Sequence, residues 1–176
     1  MILILLMLAS TEVSVESGIV EIDPPQVHPL EKILDEEKAE VAIKIEDTLV
    51  KSGIAPRLAR AATVNAIAES NLNPAAIGDK GKAVGVFQLH SGGMGSDMSI
   101  ESRKDVDLSA RKVARAIIKD KKMMSLQERC ASIEEMVRSF TIRIMRPKNM
   151  LVKAEQRVEM GKKILGAALD VECTPT

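Results

Sequence analysis

The alternation of apolar and charged positions predicts that most of this chain is helical. Between residues 30 and 53, apolar side chains recur every three or four positions and charged side chains fill the positions between them, which is the spacing of an amphipathic helix. Gly53 fits the end of this helix, because glycine readily adopts the left-handed backbone of a helix stop. The apolar stripe consists of Leu30, Ile33, Leu34, Val41, Ile45, Leu49 and Val50.

A second helix is predicted to start near Pro56 and to end at Asn73-Pro74. Proline is favoured in the first turn of a helix and disfavours helical backbone in the residue before it. Residues 83–90 are predicted to form a short β-hairpin, and the Gly- and Ser-rich residues 90–98 a loop. Further helices are expected near residues 105–121, 125–144 and 148–168, with Pro147 separating the last two.

These patterns divide the chain into three parts. Residues 1–28 combine a short apolar run with a proline-containing arm, residues 29–170 hold the predicted helices, and residues 171–176 form a short tail. The apolar run lacks a basic start and is far shorter than the roughly 20 apolar residues that a membrane span needs. We therefore expect no membrane span and interpret residues 1–28 as a docking or targeting segment. A signal peptide cleaved after Ala9 is the alternative.

Composition narrows the classes of function. The formal net charge is zero, from 25 basic and 25 acidic residues, and the chain has no Trp, no Tyr and two Phe. Balanced charge argues against attraction to nucleic acid, and the scarcity of aromatic side chains removes the stacking platforms that bind single strands. We expect no nucleic-acid partner. A helix-turn-helix DNA binder around residues 42–66 is an alternative that the charge balance disfavours.

Cysteine and histidine are too few and too dispersed for a structural metal site. The two cysteines, Cys130 and Cys173, and the two histidines, His28 and His90, show no zinc-ligand spacing. We expect no metal and no other cofactor. Two cysteines do not make a disulfide framework, so we expect free thiols, with a single bridge as the alternative.

One carboxylate is distinguished by its neighbours. The positions that share a helix face with Glu69 carry no Lys or Arg, whereas acids and bases alternate freely elsewhere in the chain. Burial against apolar surface would raise the pKa of this carboxyl group, as a general acid requires at neutral pH. Gly78, Gly81 and Gly85 permit the tight turns of a hairpin beside it. An exposed glutamate at a capped helix end is the plainer alternative.

Two blocks of sequence carry a resemblance. Residues 69–74 are ESNLNP and residues 81–88 are GKAVGVFQ. Together they resemble the lysozyme-like domain of soluble lytic transglycosylases, goose-type lysozymes and phage-borne peptidoglycan-cleaving enzymes. Residues 139–149, SFTIRIMRPKN, followed by Arg157, are similar to a late helix pair of phage lysins. The resemblance covers roughly residues 55–165.

The resemblance implies a mainly α, lysozyme-like α+β fold for residues 29–170, with one small β-hairpin beside the catalytic helix. It also implies that Glu69 is the general acid that protonates the oxygen linking N-acetylmuramic acid to N-acetylglucosamine. In a lytic transglycosylase the same carboxylate then acts as base on the sugar's own 6-hydroxyl, which gives a 1,6-anhydromuramic end. Goose-type enzymes carry a second acid near the position of Asp79, so a hydrolytic muramidase using Asp79 is an alternative.

The resemblance also implies a set of substrate-binding residues at the sugar cleft. Arg143 and Arg146 would meet the carboxylates of peptidoglycan there, with ordinary solvated charge as the alternative. The chain departs from the family in having no tyrosine, whereas many members line the cleft with one. The implied substrate-binding residues are Ser70, Asn73, Gly85, Phe87, Gln88 and His90.

The sequence thus predicts an enzyme that cleaves peptidoglycan glycan strands, carried on a phage virion or tail and acting in the periplasm or cell wall. Residues 1–28 would then dock to other virion proteins. A secreted bacterial transglycosylase is one alternative. A structural virion assembly protein that keeps the fold with little activity is another, and the aromatic-poor cleft favours it.

Overall fold

The computed structural model describes residues 27–173, and most of them form α-helices, as the hydrophobic periodicity predicted. Short 3₁₀ turns occupy Pro29–Lys32, Asp79–Gly81 and Gly166–Leu169, and a π-helical turn occupies Thr141–Met145. The α-helices are α1 (Glu36–Lys51), α2 (Pro56–Ser70), α3 (Ile100–Lys104), α4 (Val106–Lys119), α5 (Lys121–Glu128), α6 (Ile133–Phe140) and α7 (Met150–Leu165).

A small antiparallel sheet follows α2. Its strands are β1 (Ile77–Gly78), β2 (Ala83–Val84) and β3 (Leu89–His90), in the order β1-β2-β3. The pairing of β2 with β3 confirms the predicted hairpin, and β1 adds a third strand. The register joins Ile77 to Val84 and Val84 to Leu89.

Helix α2 is the centre of the fold, because it packs against α1, α6 and α7. Every residue from Leu58 to Ile67 is buried, so α2 is enclosed on all sides rather than along one stripe. Gly161 of α7 faces Val64 of α2, and a Cβ atom at Gly161 would lie 3.1 Å from Val64 Cγ1. This close approach brings the side chains of α7 to the C-terminal end of α2.

Two predicted helices are interrupted by caps. The helix expected from residue 30 is a 3₁₀ turn followed by α1, because the Asp35 side chain accepts a hydrogen bond from the backbone N–H of Lys38 at 3.0 Å. The helix expected over residues 125–144 is divided into α5 and α6. Ser132 caps the new start by accepting from Glu135 N at 3.2 Å.

The expectation of free thiols is wrong. Cys130, in the turn between α5 and α6, forms a disulfide with Cys173, and their Cα atoms lie 5.8 Å apart. That separation is ordinary for a bridge. The bond ties the residues that follow the last 3₁₀ turn to the middle of the helical domain.

Within residues 27–173, no helix combines the length and the apolar character needed to cross a bilayer. Residues 1–26 and 174–176 lie outside the described part of the chain. The interpretation of the N-terminal apolar segment as a docking, targeting or cleaved segment therefore stays a prediction.

Candidate active site

Glu69 lies in the last turn of α2, where the chain leaves the helix and turns toward the sheet. Asn71, with a backbone φ of +54°, ends the helix in the left-handed region and donates from its N–H to the carbonyl of Ile67 at 2.8 Å. Asn73 stabilises the next turn, since its Oδ1 accepts a hydrogen bond from Ala75 N at 2.8 Å. Asn73 therefore has a structural contact that explains its presence before Pro74.

Ser70 joins the end of α2 to the segment between β2 and β3. Its hydroxyl oxygen lies 2.9 Å from the carbonyl oxygen of Val86 and 3.2 Å from that of Ala66. A hydroxyl has one proton, so it donates to one of these carbonyls at a time. Through Ser70 the segment between β2 and β3 is tied to the end of α2, next to Glu69 in the chain.

Glu69 has a cationic partner, contrary to expectation. Nη2 of Arg157, on α7, donates a hydrogen bond to Glu69 Oε1 and forms an ion pair with it. The Glu69 side chain is 19% exposed and that of Arg157 is 7% exposed. The expectation failed because it considered neighbours on one helix face, whereas Arg157 arrives from a helix 88 residues further along the chain.

A buried polar network holds Arg157 in place. Its Nη1 donates to Asn65 Oδ1 at 2.7 Å. The Thr141 hydroxyl lies 2.8 Å from the same oxygen and 2.9 Å from the carbonyl oxygen of Val137, and it donates to one of the two at a time. Asn65 Nδ2 in turn donates to the carbonyl of Ala61 at 2.8 Å. Asn65 and Thr141 are fully buried. The network fixes the guanidinium beside Glu69, and the local spacing of residues gave no sign of it.

Some of the candidate residues line two different cavities, whereas Ser70, Asn73, Asp79 and Gly85 line neither of them. A cavity of about 360 Å³ contains Glu69, and the residues that line it include Ala68, Pro147, Gln156, Arg157 and Met160. A second cavity of about 560 Å³ is lined by Phe87, Gln88, His90, Lys119, Arg143 and Arg146, among others. We call these the acid cavity and the basic cavity. Two larger cavities, of about 790 and 740 Å³, contain none of the candidate residues, so size alone does not locate the site.

The two site cavities share one chain segment in their linings. Met145 and Arg146 line the basic cavity, and Pro147 lines the acid cavity. The linings of the two cavities therefore meet at consecutive residues of one chain segment. The Arg-Pro pair that carried the second part of the resemblance therefore contributes to both cavities, one with the predicted acid and the other with three of the predicted sugar-binding residues.

Gln88 uses its amide to hold the sheet. Its Nε2 donates to the carbonyls of Ala76 at 3.1 Å and Gly85 at 3.0 Å, and its backbone has a φ of +46°. Gly85 is itself required by packing, because its φ is +81° and a Cβ there would overlap the carbonyl oxygen of Arg103. Phe87 is fully buried in the core. Phe87 and Gln88 line the basic cavity, whereas Gly85 does not.

Asp79 and His90 form a pair on the exposed side of the sheet. His90 Nε2 lies 2.8 Å from Asp79 Oδ2, and His90 Nδ1 accepts from Gly92 N at 2.9 Å. Since Nδ1 is an acceptor, a neutral His90 carries its proton on Nε2 and donates it to Asp79. Asp79 is not among the residues that line the acid cavity with Glu69.

Arg143 is held by an acid within the basic cavity. Its Nε lies 2.8 and 2.9 Å from the two carboxylate oxygens of Asp120. This hydrogen bond is the main reason that the pKa of Asp120 lies below its usual value, and the N–H groups of Met123 and Lys122 add to the effect. Arg146 Nε donates to the backbone carbonyl of Arg143 at 2.8 Å.

Within the described part of the chain, no three His, Cys, Asp or Glu side chains gather closely enough to hold a metal ion. Comparison with known proteins adds no relative: no family model, curated protein or solved structure matches the chain. The resemblance to the lysozyme-like domain therefore rests on the motifs around Glu69 and Arg146.

Proposed function

We propose that this protein is a lytic transglycosylase that cleaves the β-1,4 bond between N-acetylmuramic acid and N-acetylglucosamine in peptidoglycan. The observation that carries the proposal is the placement of Glu69. Its carboxylate stands at the end of a buried helix, opens into a cavity and is held in position by a buried arginine. The sheet whose sequence carries the resemblance is fixed to the same helix end by Ser70.

In this proposal Glu69 acts twice. Its protonated carboxyl group gives a proton to the glycosidic oxygen as the bond to C1 breaks. The resulting carboxylate then takes the proton of the 6-hydroxyl while O6 forms a bond to C1. The product is a 1,6-anhydro end, the acid is regenerated, and no second carboxylate or water is consumed.

The contact with Arg157 sets a condition on this role. A guanidinium beside a carboxylate stabilises the charged form, whereas the first step needs the protonated form. We infer that substrate entering the acid cavity loosens the contact between Glu69 and Arg157. Arg157 then remains near the carboxylate that forms when the proton leaves and stabilises its charge.

Two alternatives are each favoured by one observation. A muramidase that uses Asp79 to position water is favoured by the exposed carboxylate on the sheet, 62% exposed and oriented by His90. A structural virion protein with little activity is favoured by the ion pair itself, because Glu69 and Arg157 satisfy each other without any ligand.

The proposed place of action is a phage virion or tail that meets the periplasm or cell wall, with residues 1–28 docking to other virion proteins and a secreted bacterial enzyme as the alternative. The disulfide between Cys130 and Cys173 supports a place of action outside the reducing cytoplasm. The peptidoglycan strand is the proposed substrate and partner.

Solubilisation of purified peptidoglycan tests the proposal. Glu69→Gln keeps the size of the side chain and removes its acid, and we expect release of soluble fragments to fall at least ~100-fold. Glu134→Gln is a matched control, since Glu134 of α6 also faces a cation of α7, Lys162 at 4.0 Å, but lies outside both site cavities. This control should release fragments like the wild type. No release by the folded wild type would contradict the proposal.

A further inference from the structure

The basic cavity carries more positive than negative charge. Three cationic side chains line it, Lys119, Arg143 and Arg146, against one carboxylate, Asp120. Asp120 is committed to Arg143, which contacts both of its oxygens. Lys119 and Arg146 form no ion pair with any residue in the described range 27–173, and both are exposed. Lys119 and Arg146 are therefore the two cations of this cavity that can bind an anion.

The floor of the basic cavity is apolar. Phe87, Leu89 and Ile144 are buried there, and Met94 and Met145 are half-buried beside them. A cavity with an apolar floor and a cationic rim suits a ligand that has aliphatic parts and carboxylates. It is less suited to an inorganic anion, which has no apolar surface to bury.

The position of the basic cavity connects it to the proposed chemistry. Arg146 lines the basic cavity and the next residue, Pro147, lines the acid cavity with Glu69. A glycan strand with its scissile bond at Glu69 would pass this segment, and the substituents of that sugar pair could reach the basic cavity. In peptidoglycan, the charged substituents are the carboxylates of the stem peptides.

We propose that the basic cavity binds stem-peptide carboxylates of the strand being cleaved, through Lys119 and Arg146. This inference rests on the proposed function and specifies its substrate: strands that carry peptides rather than bare glycan. Arg143 is held by Asp120 and orients Arg146 through its backbone carbonyl.

Removing the negative charge of the substrate's carboxylates tests directly whether the basic cavity binds them. Purified peptidoglycan, first stripped of phosphate-bearing wall polymers, is divided, and in one half the carboxylates are converted to carboxamides. We expect the wild type to cleave the native half with about tenfold higher kcat/KM than the amidated half, as two ion pairs near the upper end of the surface range would give. In Lys119→Gln/Arg146→Gln, kcat/KM on the native half should fall to the value on the amidated half. The value on the amidated half should not change.

The control variant is Lys121→Gln/Lys122→Gln. It removes the same charge from exposed positions in the next helix that do not line the basic cavity, so it should keep the wild-type preference. Circular dichroism verifies that each variant is folded. The proposal is overturned if the wild type cleaves both halves equally well, if Lys119→Gln/Arg146→Gln keeps the preference, or if that variant loses rate equally on both halves.

A binding measurement distinguishes failure of this proposal from failure of the proposed function. If the wild type cleaves neither half, the transglycosylase proposal fails, and calorimetry with a soluble disaccharide-tetrapeptide then decides the role of the cavity. Binding about tenfold tighter to the native than to the amidated compound, and lost in Lys119→Gln/Arg146→Gln, supports the cavity's specificity for carboxylates. Equal binding of the two compounds, or no binding, overturns it.

Discussion

Arg157 of α7 forms an ion pair with Glu69 of α2, although 88 residues separate them in the chain. The pair is mostly buried and is anchored by Asn65, which accepts a hydrogen bond from the same guanidinium. This relationship determines how the candidate acid is held in the free protein. It also predicts an asymmetry between the two partners when each is removed.

Loss of Arg157 should cost more stability than loss of the charge of Glu69. Arg157→Met leaves the Glu69 carboxylate without its donor and leaves the Asn65 oxygen with the Thr141 hydroxyl as its remaining partner, so we expect the free energy of unfolding to fall by about 1–3 kcal/mol. Glu69→Gln keeps an acceptor for Arg157 and should cost less. Urea unfolding of both variants measures this difference.

Arg138→Met is the control for that comparison. Arg138 pairs with Glu155 at 2.7 Å on the surface, with side chains 40% and 61% exposed. Its removal should change the unfolding free energy by no more than about 0.5 kcal/mol. Equal losses for Arg157→Met and Arg138→Met would show that the buried network does not stabilise the fold.

Gly85 should tolerate alanine less well than Gly53. Both have left-handed backbone, with φ of +81° and +89°, but a Cβ at Gly85 would overlap the carbonyl oxygen of Arg103 whereas none would meet an atom within 4 Å at Gly53. Gly53→Ala should therefore cost about 1 kcal/mol of strain, and Gly85→Ala about 1–3 kcal/mol more. Thermal or urea unfolding gives both values, and similar losses would mean that the sheet shifts to make room.

The ion pair of Asp120 and Arg143 should contribute stability that depends on pH. The Arg143 hydrogen bond holds the pKa of Asp120 below its usual value of 3.8. A lowered folded-state pKa contributes stability that is fully present above the unfolded-state value and is lost as pH falls through the folded-state value. The difference in unfolding free energy between wild type and Arg143→Gln should therefore be constant near neutrality and shrink below about pH 3.8.

Unfolding titrations from pH 7 to pH 2 test that dependence. Lys121→Gln is a suitable control, because Lys121 is exposed and has no ion pair with a described residue. The difference in unfolding free energy between Lys121→Gln and the wild type should not shrink at acid pH. A difference for Arg143→Gln that is unchanged at pH 2 would contradict the assignment of the shift to Arg143.

Reduction of the disulfide should destabilise the domain. The bridge between Cys130 and Cys173 closes a loop of 43 residues, for which chain entropy gives about 2–4 kcal/mol. Unfolding with and without a phosphine reductant measures this loss. A Cys130→Ser/Cys173→Ser variant should have the same unfolding midpoint as the reduced protein. Its midpoint should not change when the reductant is added. An unchanged midpoint for the wild type would contradict a stabilising bridge.

The sequence predicted those parts of the fold that depend on neighbouring residues. The start of α2 followed from Pro56, whose backbone preference is local, whereas the helix ends at Ser70 with left-handed Asn71, just before the predicted stop at Asn73-Pro74. The break at Ser132 was missed, although a serine followed three residues later by Glu135 is a recognisable cap. The third strand, β1, is only two residues long and offered no alternation to detect.

Local patterns could not predict contacts between residues that are far apart in the chain. The partner of Glu69 comes from α7, and its anchors Asn65 and Thr141 come from α2 and the π-helical turn. Nothing in the spacing of these residues shows that their side chains meet. The pairing of Cys130 with Cys173 was missed for the same reason, since it depends on where the last 3₁₀ turn places Cys173. Only packing of α7 on α2 brings the site together.

Mass spectrometry of the fragments released from purified peptidoglycan tests the central claim most directly. The account predicts 1,6-anhydromuramic ends from the wild type, and no such fragments from Glu69→Gln at equal concentration and equal fold content. Reducing ends instead would contradict the transglycosylase mechanism and favour a muramidase that uses Asp79. No release by the folded wild type would contradict the enzymatic account altogether.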